Sequence, residues 1–178
     1  MTNFKRITLA LDLSLNGPGM AVVAITDGNP IVLDKRNITP VGSHGEKLTQ
    51  IAEVIDELFA LYEPEYVVRE KGFSRFAATT QTLFKVVGIS DYIAYQYGHN
   101  NVEELSPTTV KKLVTGDGKS KKDVVADAVF KAYQIDNTDD YYRTIKGGKN
   151  KGKRELIDDL TDSLAVGLAF YKTKRWVE

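Results

Sequence analysis

The sequence contains no cysteine and only two histidines, His44 and His99. The lack of cysteine excludes thiolate nucleophiles, zinc sites with cysteine ligands and a disulfide framework. Two histidines are too few for a three-histidine metal site. No stretch approaches 18 consecutive apolar residues, and the N-terminal residues show no signal-peptide pattern. We therefore expect a cytoplasmic protein that does not associate with membranes.

Charged residues, by contrast, are plentiful and unevenly distributed. Lys and Arg balance Asp and Glu at 24 each, yet residues 106–154 hold 12 of the basic residues and only 6 acidic ones, a net charge of +6. A basic segment in a neutral chain is typical of a local contact with a polyanion. A solvated helix face followed by a mobile loop would show the same pattern. With 178 residues, 42% of them hydrophobic, the chain is expected to fold as one domain, 1–178.

The first part of the chain predicts three antiparallel strands. Residues 7–13, 20–26 and 31–38 are rich in Val, Ile and Leu and are separated by turns that contain glycine and proline. Ser43 and Glu46 then form a capping-box pattern, which predicts the start of a helix.

The remaining segments alternate between strands and helices. We expect a strand at 66–70, a helix at 77–97, a strand at 102–105, two helices around a turn at 115–118, a polar segment at 136–153 and a last helix at 155–172. This order predicts an α/β fold, with one mixed sheet covered by helices.

Several carboxylates stand where apolar segments begin or end. Asp12 ends the first strand and Glu70 ends the fourth, and α/β sheets build their sites where strands end. Asp159 and Asp162 are three residues apart, so they share a face of the last helix. Asp158 and Asp162 are an alternative pair, which spacing does not exclude, and Asp158 and Asp159 also suit a helix N-terminus. Beside a basic segment, such carboxylates indicate phosphodiester hydrolysis with two Mg²⁺ or Mn²⁺ ions.

The chain resembles the RuvC-type Holliday junction resolvases, a branch of the ribonuclease H-like nuclease superfamily. The resemblance covers nearly the whole length, and its motifs occur in the family's order. They are LALDLS (9–14) with the glycine-rich turn that follows, VVREKGF (67–73), PTTVKK (107–112), TGDGKSKK (115–122) and DLTDSLA (159–165). The resemblance implies a ribonuclease H-like, mixed five-stranded sheet of three antiparallel and then two parallel strands, flanked by helices.

The resemblance also implies the roles of the carboxylates. Asp12, Glu70, Asp159 and Asp162 match the catalytic residues that bind two Mg²⁺ ions per active site, with Mn²⁺ as a plausible substitute. This match favours Asp159 over Asp158. The family acts as a homodimer whose two sites nick opposing strands of a four-way DNA junction, in DNA recombination and repair. A two-fold dimer also suits the symmetry of that substrate.

Further residues match the family's DNA contacts. Lys111 and Lys122 match basic residues near the scissile strand, where a lysine neutralises charge that develops in the transition state. Phe73 matches an aromatic residue that inserts at the junction point. A core position for Phe73 is the alternative interpretation, and a solvated helix position is the alternative for both lysines.

The polar segment 136–153 looks long for the bacterial pattern, and we interpret it as a flexible loop that grips the DNA backbone. Such a contact would extend binding to forks and flaps, because lysines recognise phosphate charge rather than base sequence. The small size and the divergence suit a phage-encoded member acting in the host cytoplasm. The remaining predicted DNA-binding residues are Lys112, Lys119, Lys121, Lys146, Lys149, Lys151, Lys153 and Arg154.

Other functions share parts of these patterns. A non-catalytic protein that binds branched DNA is one alternative, and another ribonuclease H-like nuclease is a second. A lobe of an actin-like ATPase also begins with an Asp at a strand end, but such proteins need two lobes and this chain provides one.

Overall fold

The computed structural model describes residues 4–72 and 77–178. Five strands form one sheet: β1 (Lys5–Asp12), β2 (Gly19–Thr26), β3 (Asn29–Asn37), β4 (Tyr66–Glu70) and β5 (Glu103–Leu105). Their order is β3-β2-β1-β4-β5. The first three strands pair antiparallel, whereas β4 runs parallel to β1 and β5 runs parallel to β4. The predicted mixed sheet is confirmed.

Helices cover both faces of this sheet. They are α1 (His44–Tyr62), α2 (Ala77–Gln96), α3 (Pro107–Thr115), α4 (Lys122–Ala132) and α5 (Asp158–Thr173). The α1 helix begins with the predicted capping box, in which the Ser43 backbone N–H donates to Glu46 Oε2 at 2.7 Å. None of the helices in the described part of the chain is long and apolar enough to cross a membrane.

The two faces of the sheet form separate cores because side chains alternate along each strand. Leu9 and Leu11 of β1 pack on one face with buried residues of α1 and α2. Ala10, between them, packs on the other face with buried residues of α3, α4 and α5. Small side chains on this second face let α5 lie close to the sheet.

The α5 helix is the most buried of the helices in the described residues. Nearly every residue from Leu160 to Tyr171 is inaccessible to solvent. Gly167 permits this close packing, because a Cβ atom there would lie 2.9 Å from Val23 Cγ2 and 3.3 Å from Ala10 Cβ. The position of α5 over the sheet is therefore tightly defined, and with it the position of its N-terminal acidic residues.

The segment between α4 and α5 differs from its sequence interpretation as a loop. It contains an antiparallel hairpin, β6 (Tyr142–Thr144) and β7 (Arg154–Leu156). The prediction that the last helix begins at residue 155 is wrong, because residues 154–156 pair with β6 and α5 starts at Asp158. The backbone N–H of Ile157 donates to the Tyr141 carbonyl at 2.8 Å, which closes the base of the hairpin.

Candidate active site

Two strand ends place the first two carboxylates side by side. In the parallel pairing of β1 and β4, Leu11 lies opposite Arg69. The next residues, Asp12 and Glu70, therefore leave the sheet at the same edge, on strands about 4.8 Å apart. Both side chains are partly buried. The prediction that Asp12 and Glu70 each end a strand is confirmed, and the parallel pairing brings the two strand ends together.

A glycine brings the N-terminus of α5 to the same edge. Gly19 is the register partner of Asp12 in β2. A Cβ atom on Gly19 would lie only 1.8 Å from the backbone carbonyl oxygen of Asp159, so no other residue fits there without displacing α5. On the same turn, a Cβ on Gly17 would lie 3.4 Å from Asp159 Oδ2. The glycines after β1 thus allow the start of α5 to approach the sheet closely enough to bring Asp159 near Asp12.

The pKa values of the four acids reflect their burial and mutual repulsion. Burial raises the pKa of Asp12 well above its usual value, and the charges of Glu70, Asp162 and Asp159 raise it further. Burial also raises the pKa of Glu70 to about 7, with a smaller contribution from Asp162. The pKa values of Asp159 and Asp162 are raised by burial, although Lys122 opposes both shifts. Because these four carboxylates are shielded from water and repel one another, a cation that binds between them would be stabilised.

The donor set of this site fits a hard divalent cation. Asp12, Glu70, Asp159 and Asp162 offer only carboxylate oxygens, which are the ligands Mg²⁺ and Mn²⁺ prefer. Within residues 4–72 and 77–178, no three His, Asp or Glu side chains already stand in a ligating arrangement. The fit therefore rests on the chemistry and charge of the four acids, and their metal-binding role stays a prediction.

Both predicted site lysines lie beside the carboxylates. The Lys122 ammonium, on the first residue of α4, is 2.8 Å from Asp158 Oδ2 and 3.1 Å from Asp162 Oδ2. Burial alone would lower the pKa of Lys122, but these two acids raise it above its ordinary value. Lys111 of α3 lowers the pKa of Glu70 and of Asp162 through its charge. Of the acids at the start of α5, Asp158 and Asp162 both contact Lys122.

Arg69 is a site neighbour that the sequence analysis did not single out. Its side chain is only 7% exposed, and it forms ion pairs with Asp91 of α2 and Glu104 of β5. An arginine inside the apolar run of β4 was the available signal, since a buried charge requires a partner. The partners themselves lie 22 and 35 residues further along the chain.

The predicted DNA-binding residues fall into two groups. Lys112, Lys119 and Lys121 are exposed on α3 and on the turn between α3 and α4. Lys146, Lys149, Lys151 and Lys153 are exposed at the tip of the hairpin and form no ion pair within the described ranges. Arg154 is already engaged, because it pairs with Asp139 at 2.8 Å and lies over the Tyr142 ring. Phe73 lies outside the described residues.

A family model and individual relatives of this chain carry the same description. A family model described as crossover junction endodeoxyribonuclease RuvC matches residues 8–140. A protein of that name from Gloeobacter violaceus is 31% identical over 124 residues, 68% of this chain and 71% of that protein. The Brachyspira hyodysenteriae protein of the same name is 26% identical over 173 residues, 95% of this chain and 96% of that protein.

A solved structure shows the same fold. The structure of T. thermophilus RuvC in complex with Holliday junction substrate matches with a TM-score of 0.77 and 20% sequence identity. The match covers 97% of this chain and 98% of that one. The ribonuclease H-like fold implied by the sequence motifs is confirmed.

Proposed function

Because the chain belongs to the RuvC family, whose model matches residues 8–140, we propose that it is a structure-specific DNA endonuclease that resolves Holliday junctions. The observation that carries the proposal is the grouping of four carboxylates from β1, β4 and α5 at one edge of the sheet, with two lysines beside them. This combination suits cleavage of a phosphodiester, whose transition state gains negative charge.

The proposed chemistry divides the site between carboxylates and lysines. Asp12, Glu70, Asp159 and Asp162 would hold two Mg²⁺ ions, with Mn²⁺ as a substitute. When bound, such ions supply a hydroxide nucleophile and stabilise the leaving oxygen. The ammonium groups of Lys111 and Lys122 would neutralise charge on the scissile phosphate.

The proposed substrate is branched DNA, with four-way junctions first and forks or flaps second. The four exposed hairpin lysines support the broader range, because a lysine that contacts phosphate carries no base-sequence preference. Their glycine neighbours leave the backbone open, since a Cβ at Gly147 or Gly148 would meet no atom within 4 Å. The hairpin is therefore suited to contact with a phosphate backbone.

We also propose that the enzyme acts as a homodimer through α2. The helix exposes Phe84, Tyr92 and Tyr95, which are 61%, 62% and 67% accessible. Gly88 lies among them with open space beyond its Cα, so a second helix can approach closely. Tyr92→Lys is expected to shift the protein towards monomer in analytical ultracentrifugation. Leu61→Lys, at a similarly exposed position on α1, is the control and leaves the distribution unchanged.

The function is tested by cleavage of end-labelled four-way junction, three-way fork and linear duplex in Mg²⁺. Asp162→Asn serves as the inactive variant, since it removes a carboxylate of the site and nearly preserves its shape. We expect paired nicks near the branch point with the wild-type protein. With the variant, we expect binding without cleavage.

Other outcomes would separate the alternatives. Tight binding to the branch without cleavage in Mg²⁺ or Mn²⁺ would indicate a non-catalytic binding protein. Cleavage without preference for branched DNA would indicate another type of ribonuclease H-like nuclease. Cleavage of the fork at a rate close to that of the four-way junction would establish the broader substrate range.

A further inference from the structure

We propose that Asp158 is a positioning residue that holds the Lys122 ammonium at the rim of the active site. The inference rests on the proposed endonuclease function, because Lys122 acts on the scissile phosphate only in that reaction. Asp158 itself is not among the four carboxylates that would bind metal. It stands immediately before the DLTDSLA motif and lies outside the motifs that carry the family resemblance.

The geometry joins two helices across the site. Asp158 and Asp162 are one helical turn apart on α5, and the Lys122 ammonium lies between them. The contact to Asp158, at 2.8 Å, is the shorter of the two; that to Asp162 is 3.1 Å. The Asp158 side chain is 41% exposed, against 23% for Asp162. Asp158 is therefore the outer partner of the lysine and Asp162 the inner one.

The two carboxylates that contact Lys122 differ in whether they would also bind a metal ion. Asp162 belongs to the group of four acids that would share a divalent cation, and a carboxylate bound to such an ion attracts a lysine much less. Asp158 is not one of the four acids that would coordinate this cation. It keeps a full negative charge for Lys122 after Asp162 is engaged, so the ammonium stays at the edge of the site instead of swinging into solvent.

The role concerns position rather than stability. Lys122 and Asp158 are both about half exposed, and ion pairs of this kind contribute little to folding. A long lysine side chain loses considerable rotamer freedom when it is held in place. If Asp158 restricts the Lys122 side chain before the DNA binds, the ammonium group meets the phosphate in one orientation.

Kinetics with a matched charge control form the first test. Asp158→Asn is expected to lower kcat for junction cleavage about 5- to 10-fold with little change in KM, as expected for loss of one charge-assisted hydrogen bond at a half-exposed site. Asp158→Glu should restore part of the rate. Asp127→Asn, which removes an exposed acid from α4, should leave kcat unchanged. In a Lys122→Ala background, Asp158→Asn should have no further effect; a full additional loss there would overturn the proposal.

The second test requires no cleavage. The ¹H–¹⁵N signal of the Lys122 ammonium is observed by NMR in EDTA and after addition of Ca²⁺ alone. We expect an ordered signal under both conditions in the wild-type protein, and loss of the signal on Ca²⁺ addition in Asp158→Asn. Persistence in the variant, or loss in the wild type, would overturn the proposal. If the wild-type protein fails to cut junctions, the endonuclease proposal fails, whereas this measurement still decides whether Asp158 holds Lys122.

Discussion

The guanidinium of Arg69 is bound to the carboxylate of Glu104 across two neighbouring strands. Its Nε donates to Glu104 Oε1 at 2.9 Å, and Nη2 lies 2.8 Å from the same oxygen. Asp91 of α2 completes the cluster. Arg69 directly precedes Glu70 on β4, so this ion cluster ties α2 and the edge strand β5 to the strand that carries a site carboxylate.

Loss of the Arg69 charge is expected to destabilise the fold. Arg69→Met should lower the free energy of unfolding by about 2–3 kcal/mol. Breaking a buried pair typically costs about 3–5 kcal/mol, and both acids here retain some contact with water. Urea unfolding followed by circular dichroism measures the change. Arg143→Met, which breaks an exposed pair with Glu155, should cost less than about 1 kcal/mol. Equal losses in the two variants would contradict the importance of the buried cluster.

Removal of the Asp12 charge is expected to stabilise the protein while it abolishes cleavage. Burial and the neighbouring acids raise the pKa of Asp12, so the charged form is held at a cost in folding free energy. Asp12→Asn should therefore raise the unfolding free energy in EDTA, because the neutral amide neither buries a charge nor repels the neighbouring acids. Thermal unfolding in EDTA and junction cleavage in Mg²⁺ check both effects. Asp136→Asn, at an exposed position, should change neither; a less stable Asp12→Asn would contradict the repulsion argument.

A methyl group at Gly19 is expected to separate α5 from the end of β1. The Cβ atom would overlap the Asp159 carbonyl, and the backbone must move to accommodate it. Gly19→Ala should reduce stability by about 3 kcal/mol, the upper end of the typical range for overpacking in a core, and should lower cleavage by more than the fraction that unfolds. Gly45→Ala in α1 is the control, because its Cβ would meet no atom within 4 Å. Normal cleavage by Gly19→Ala would show that the spacing of Asp12 and Asp159 is not critical.

The hairpin tip is expected to contribute electrostatic affinity for DNA. Replacing Lys146, Lys149, Lys151 and Lys153 together with Gln should weaken junction binding and flatten its dependence on salt. Each lost phosphate contact lowers the slope of log K against log salt by about 0.9. Fluorescence anisotropy between low and moderate salt measures the slope. The corresponding fourfold substitution with Arg should retain it, and an unchanged slope in the Gln variant would rule out contact by the tip.

The predictable parts of the structure were those encoded by local patterns. The start of α1 followed from Ser43 and Glu46, and the bounds of β4 followed from a short apolar run between Pro64 and a polar loop. The hairpin was missed because its strands are three residues long and mostly exposed, so no alternation of apolar side chains marks them. Leu156 fell within the predicted last helix, 155–172, yet its backbone pairs with Tyr142.

Residues of the site were predictable to different degrees. Asp12 and Glu70 could each be placed at a strand end, whereas the parallel pairing of β1 with β4 that brings them together is a property of the fold. The choice between Asp158 and Asp159 depended on family motifs, since both spacings to Asp162 suit one helix face. The contact of Lys122 with Asp158 and Asp162 joins segments more than 30 residues apart, and only the packing of α4 on α5 determines it.

The closed base of the hairpin makes it a separable module. The chain leaves and re-enters the core at one point, where Ile157 donates to Tyr141, and the Tyr141 ring is buried against Phe130. A change in the length or charge of the arm beyond that point is therefore expected to leave the helices on either side in place. An arm of different length or charge could therefore be grafted at this base, with Asp12, Glu70, Asp159 and Asp162 expected to keep their places.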